Sequence, residues 1–219
     1  MSASMKESSV PFSDPAIRPM ADAVAAGDRD RIRALAPTSD LSAQGDEGVT
    51  LLEWAVWNQQ PAALEALLEA GADPAQPGTD GETVAHMAAM VDDARYLQLL
   101  LAHDAPVDLP GARAGWTPVF RAVQDRRDEQ VGLLVDAGVD LQRKDSMGNG
   151  LLHVAAGVND AARVLQLLEA GVDPVAANAR GETFQDILFA GSDARLSADA
   201  RAARDRVRDW LKARGITTR

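Results

Sequence analysis

The chain repeats itself, and the length of the repeat limits what it can fold into. Gly-x-Thr or Gly-x-Gly tripeptides begin at Gly48, Gly81, Gly115, Gly148 and Gly181, with spacings of 33, 34, 33 and 33 residues. A second register agrees. Leu-Leu-Glu-Ala-Gly ends at Gly71 and again at Gly171, with degenerate copies ending at Asp104 and Gly138, spaced by 33, 34 and 33. A unit of this size cannot bury its own hydrophobic face, so copies must stack and share a continuous core.

Within each copy the apolar residues recur at helical spacing in two runs. Behind Gly48 these are Leu51, Leu52, Ala55 and Val56, then Leu64, Leu67 and Leu68. In other copies the first run is rich in alanine (Ala85, Ala88, Ala89, Ala155, Ala156), which lets neighbouring helices approach closely. The threonines after the glycines stand where a hydroxyl can cap the free N–H groups of a first helical turn. Pro118 follows one of them at a favoured first-turn position. Gly71, Gly138 and Gly171 fall where the second helix must stop in left-handed backbone. Each copy reads as turn, helix, turn, helix.

These motifs resemble the ankyrin-repeat family. Gly81-Glu82-Thr83-Val84-Ala85-His86-Met87-Ala88-Ala89 and Gly148-Asn149-Gly150-Leu151-Leu152-His153-Val154-Ala155-Ala156 are similar to its Gly-x-Thr-Pro-Leu-His-x-Ala-Ala pattern. Gly71-Ala72-Asp73-Pro74 and Gly171-Val172-Asp173-Pro174 are similar to its closing turn. The resemblance implies an all-α ankyrin-repeat solenoid of about six helix-turn-helix repeats with terminal capping repeats. The expected boundaries are a flexible leader over 1–14, an N-cap over 15–44, repeats over 45–77, 78–111, 112–144 and 145–177, and a C-cap over 178–219. It also implies a structural role for His86 and His153, each hydrogen-bonded near its own turn. His103, at the end of a second helix, is expected to be exposed.

Composition closes off several function classes. Zero cysteines exclude disulfides, cysteine metal sites and cysteine nucleophiles. A net charge of −11 argues against nucleic acid and anionic membrane as partners, and no apolar run approaches the ~18 residues of a membrane span. No phosphate-binding glycine loop, nucleophile elbow or paired helical histidines are present. The expectation is no enzyme, no catalytic residue, no metal and no cofactor. The charge is uneven: residues 193–219 carry eight basic and four acidic side chains, or +4, which leaves −15 for the rest. The 19 arginines against 3 lysines suggest a GC-rich bacterial genome. Met1 to Asp14 is Ser-rich and lacks the apolar core of a signal peptide. The expected location is therefore the bacterial cytoplasm, or the periplasm if a native signal sequence has been removed.

What remains is a surface. In an ankyrin stack the turn tips and first-helix ends line a concave groove that the family uses to bind proteins. Repeat phase assigns to it Asp46, Glu47 and Val49, Trp57 and Asn58, Asp80 and Glu82, Met90 and Val91, and Arg113 and Trp116. Further along come Gln124 and Asp125, Met147 and Asn149, Val158, and Arg180. Trp57 and Trp116 are the expected apolar anchors; Trp54 is expected between repeats and Trp210 in the core of the last helix. The acidic tips favour a protein partner with a basic or mixed-charge face, and a capped stack is expected to be monomeric when free. Short bacterial chains of this kind resemble stand-alone ankyrin immunity proteins that neutralise antibacterial effectors, including lipases delivered by type VI secretion. Two other readings remain open: a general bacterial ankyrin scaffold or regulator, and a host-directed secreted ankyrin effector.

Overall fold

The structure, a computed structural model, describes residues 10–112, 114–191 and 193–218. Among these residues it holds twelve α-helices and no strand beyond an isolated bridge between Gln44 and Thr50. The chain divides into two compact units, Met1–Arg113 and Ala114–Arg219.

The first unit contains three helix pairs: α1 (Arg18–Ala26) with α2 (Arg29–Leu35), α3 (Leu51–Trp57) with α4 (Pro61–Glu69), and α5 (Val84–Met90) with α6 (Arg95–Ala102). The first helices stack on one another, α1 on α3 and α3 on α5, and the second helices do the same, α2 on α4 and α4 on α6. Ala21, Ala55, Ala63, Ala66, Ala88 and Ala89 are fully buried between them. Methyl-sized side chains at these contacts bring the backbones close, and Leu51, Leu64, Leu67, Leu97 and Leu100 fill the remaining space. Each such leucine contributes about 1.5–3 kcal/mol by leaving water.

The N-terminal boundary differs from the sequence expectation. Phe12 is fully buried, and its ring meets Trp54 edge-on with centroids 6.3 Å apart. The Pro11 carbonyl accepts the Asp46 N–H at 2.9 Å. The same kind of bond joins later tips, where Gly81 O accepts from Ala112 N–H at 3.2 Å and Met147 O from Ala179 N–H at 2.9 Å. Residues 10–14 therefore act as the tip of the capping repeat rather than as leader, because an aromatic ring is available to cover Trp54. Residues 1–9 lie outside the described residues.

The second unit contains α7 (Pro118–Gln124) with α8 (Asp128–Asp136), α9 (Leu151–Gly157) with α10 (Ala161–Glu169), and α11 (Phe184–Leu188) with α12 (Ala198–Ala213). α9 packs against α7 and α11, and the sixteen-residue α12 takes the second-helix place against α10. Two arginines of this last helix, Arg204 and Arg208, turn inward, while Arg201, Arg206 and Lys212 are exposed. The buried Arg204 donates to Asp193 Oδ1 at 2.7 Å and to Asn159 Oδ1 at 2.8 Å. Arg208 donates to Asp193 Oδ2 at 2.8 Å and lies 4.6 Å over the Phe189 ring. Hydrogen bonds from Arg204, then Arg208, hold the Asp193 carboxyl below its ordinary range. Trp210 is half-buried rather than core; Arg214 covers its ring at 3.8 Å and its indole nitrogen has no hydrogen-bond partner among the described residues. His103 is half-buried rather than exposed.

From α3 onward the first helices start from extended N-cap backbone, with different side chains at the cap. At α3, Thr50 Oγ1 accepts the Glu53 N–H at 3.1 Å while Glu53 Oε2 accepts the Thr50 N–H at 2.8 Å, a reciprocal cap. At α5, His86 Nδ1 replaces the carboxylate, accepting the Thr83 N–H at 3.1 Å. At α9, His153 Nδ1 accepts the Gly150 N–H at 3.1 Å, which leaves the proton on Nε2 to donate to Glu182 O at 3.0 Å. At α11, Asp186 Oδ2 accepts the Thr183 N–H at 2.7 Å. At α7, Phe120 stands in this place, and the buried Thr117 hydroxyl has no hydrogen-bond partner among the described residues. The second helices end as the spacing predicts, with Gly71, Gly138 and Gly171 at φ of 92°, 78° and 89°.

Candidate partner-binding surface

In the first unit, the tip that precedes α3 and the end of α3 together form a cleft. It has a volume of about 190 Å³ and is lined by Pro11, Asp46, Glu47, Val49, Trp54, Trp57 and Thr79. Asp46 and Glu47 are exposed on the tip, and Glu47 adopts φ 58°, a conformation that non-glycine residues seldom take. Trp57 is 65 % exposed at the last turn of α3. Trp54 is held beneath: its Nε1 donates to Ala21 O at 3.1 Å, fixing the indole between the first two repeats as the sequence implies. Asn58 caps α3, its Nδ2 donating to Trp54 O at 2.8 Å.

A buried carboxylate ties α3 to the tip that carries Thr79. Glu53 is 1 % exposed, and besides capping α3 its Oε1 accepts the Thr79 N–H of the next tip at 3.1 Å. Burial raises its pKa above the ordinary glutamate value, and the nearby Glu82 carboxylate adds to this, against the hydrogen bonds from Thr50 and Thr79. A Cβ on Gly78 would sit 1.9 Å from Glu53 Oε2, so only glycine lets the carboxylate reach across to the tip.

In the second unit the tips form a ladder of side-chain hydrogen bonds. Trp116 Nε1 and Asn149 Nδ2 each donate to Asp145 Oδ2 at 3.1 Å, and Asp145 Oδ1 accepts the Met147 and Asn149 N–H groups at 2.8 Å. Asn178 Nδ2 donates to Asn149 Oδ1 and to Glu182 Oε2, both at 3.0 Å. Burial acts to raise the Asp145 carboxyl, but the hydrogen bonds from Asn149 and Trp116 outweigh it and hold the group below its ordinary range.

The expected surface residues therefore divide. Asp46, Glu47, Trp57, Asp80, Gln124, Asp125, Met147 and Arg180 are exposed. Asn58, Met90, Val91, Trp116, Asn149 and Val158 are half-buried. Val49 and Glu82 are buried, a correction that follows from their place directly before the first helix, where the chain turns inward. Trp116 is also corrected as a free anchor. Asp145 holds its indole, Phe120 lies 5.8 Å from its ring and the Arg121 guanidinium lies 5.0 Å over it. Arg113 lies outside the described residues. The sequence reading missed Pro11, because it was assigned to the leader; the aromatic Phe12 beside it was the available signal.

A family model for ankyrin repeats, in three copies, matches residues 52–145. The chain belongs to the ankyrin-repeat family. It is 45 % identical over 149 residues to Protein PhlB of Serratia liquefaciens, covering 68 % of this chain and 66 % of PhlB. It is 32 % identical over 178 residues to the E3 ubiquitin-protein ligase KEG of Arabidopsis thaliana, covering 71 % of this chain and 11 % of the ligase. Among solved structures, the ankyrin-repeat protein EF0377 superposes with a TM-score of 0.74 at 20 % identity, covering 87 % of this chain and 96 % of EF0377. A chain from the complex of the predatory endopeptidase Bd0816 of Bdellovibrio bacteriovorus with the immunity protein Bd3460 superposes with a TM-score of 0.69 at 23 % identity, covering 84 % and 97 %. Among the described residues, no cluster of three or more His, Cys, Asp or Glu is placed to hold a metal ion, and no helix is long and apolar enough to cross a membrane.

Proposed function

We propose that this ankyrin-repeat chain is a non-catalytic module that binds one specific partner protein through its tips and first-helix ends, as a bacterial immunity protein neutralising a cognate antibacterial effector. The observation that carries the binding reading is Trp57, 65 % exposed beside an apolar cleft edged by Asp46 and Glu47. Large exposed aromatics ringed by charge mark interaction sites, and tryptophan is over-represented among the residues that dominate binding. A buried core has no use for Trp57, so its cost in exposed apolar surface is explained by a partner. The immunity reading is supported by a solved protease–immunity complex in which one chain shares this fold. The mechanism is steric: the stack covers the effector's active site. The type VI route and a lipase-like effector remain part of this proposal, as does residence in the bacterial cytoplasm or periplasm.

The test is co-expression. The chain should suppress the toxicity of the product of the neighbouring gene, and the two should co-purify. Trp57→Glu should abolish both effects while leaving the circular dichroism spectrum unchanged, because the side chain is outside the core. Full protection by Trp57→Glu and Met147→Glu alike would refute a site on the tips.

A further inference from the structure

We propose that the cleft beside Trp57 receives an arginine side chain of the partner protein. This rests on the protein-binding reading above and names the chemistry of what the site takes. The first support is a pattern within the molecule. Three half-buried aromatics each carry an arginine of the same chain over the ring: Trp116 under Arg121 at 5.0 Å, Phe189 under Arg208 at 4.6 Å, and Trp210 under Arg214 at 3.8 Å. Trp57 is more exposed than any of them and has no such cation among the described residues.

Charge supplies the second support. Asp46 and Glu47 line the same cleft, and neither side chain has an ion-pair partner among the described residues. A guanidinium satisfies both features at once. Its plane stacks on the indole face while its N–H groups, spread in a fixed fork, reach carboxylate oxygens. An ammonium group offers no plane to stack. Size is the third support. At about 190 Å³ the cleft is below the ~300–1,000 Å³ of a small-molecule site, and suits a single long side chain. Its walls of Pro11, Val49 and Trp54 cover the methylene stem.

The experiment titrates the isotopically labelled full chain with the capped peptide acetyl-Gly-Arg-Leu-Gly-amide, and separately with the same peptide carrying neutral citrulline. The arginine peptide should move the Trp57 indole N–H and the amides of Asp46 to Val49, and bind about tenfold more tightly than the citrulline peptide. The difference should vanish in Asp46→Asn/Glu47→Gln, vanish in Trp57→Leu, and shrink at about 0.5 M salt. Equal binding of the two peptides, or shifts confined to other residues, would overturn the assignment. The two proposals fail separately. A cognate partner that binds Asp46→Asn/Glu47→Gln at full strength but not Trp57→Glu removes the arginine and keeps the docking site. Peptide selectivity without suppression of effector toxicity does the reverse.

Discussion

Thr50 and Thr117 occupy the same place in their repeats, yet valine should act on them with opposite sign. Both are buried and both precede the first helix in extended backbone, at φ −86° and −96°, where β-branched valine is at ease. Thr50 Oγ1 accepts the Glu53 N–H at 3.1 Å and donates to Glu53 Oε2 at 3.2 Å. Thr50→Val removes one bond to a buried carboxylate and leaves a helix N–H without its acceptor. At roughly 1–1.5 kcal/mol for each of these, the loss is about 2–3 kcal/mol. Thr117 Oγ1 has no hydrogen-bond partner among the described residues, because Phe120 stands where Glu53 and His86 stand in the preceding repeats. A buried hydroxyl without a hydrogen bond costs about 1–3 kcal/mol, and a methyl of similar shape does not. Thr117→Val should therefore gain about 1 kcal/mol. Melting followed by circular dichroism reads both: at ~2–4 °C per kcal/mol for a chain of this size, Thr117→Val rises by about 2–4 °C and Thr50→Val falls by about 4–12 °C. Urea midpoints should move the same way with unchanged slopes. A fall in stability on Thr117→Val, or equal effects at the two sites, would show that the partner of the hydroxyl does not decide its worth.

Further outcomes concern charge and backbone. The raised Glu53 carboxyl binds a proton more readily in the native than in the unfolded chain, so its contribution is fully present below the ordinary glutamate pKa and is lost as pH rises through the raised value. Glu53→Gln should remove that downward slope above the ordinary glutamate pKa, measured by denaturant unfolding at each pH. Asp145 has the opposite sign: its depressed carboxyl stabilises above the ordinary range and loses that contribution as pH falls through the depressed value. Asp145→Asn should flatten the acid limb and shift the Trp116 fluorescence, since the indole loses its charged acceptor. Gln59 sits at φ 58° between α3 and α4 where the capping repeat uses Gly27 at φ 68°. Gln59→Gly should raise stability by up to about 1 kcal/mol by relieving left-handed strain, read as a higher urea midpoint. Arg204→Ala should loosen α12 from α10, seen as faster amide exchange in α12 than in α9.

The repeat, its phase and the helix pairs were legible because each is carried by local signals at fixed spacing. Gly71, Gly138 and Gly171 follow periodic apolar runs and take the left-handed backbone that ends a helix, and the runs around Leu64 and Leu67 are apolar in the helical period. The surface was legible only in part. Repeat phase identified Trp57 as outward, because nothing in its own copy demands its burial. It gave the same answer for Trp116, which Asp145 of the following repeat holds in place.

The sequence by itself determined the fold family, the all-helical class and the order of twelve helices, since each follows from interactions a few residues apart. Tertiary structure decided which side chains are used up between copies. Glu53 reaches Thr79, Trp54 reaches Ala21, and Pro11 joins Asp46 across separations that no local pattern records. The 33-residue period places such pairs side by side only after stacking. That is why the period places turn tips and first-helix ends outward, while the packed structure leaves Trp57 exposed and ties Trp116 to Asp145.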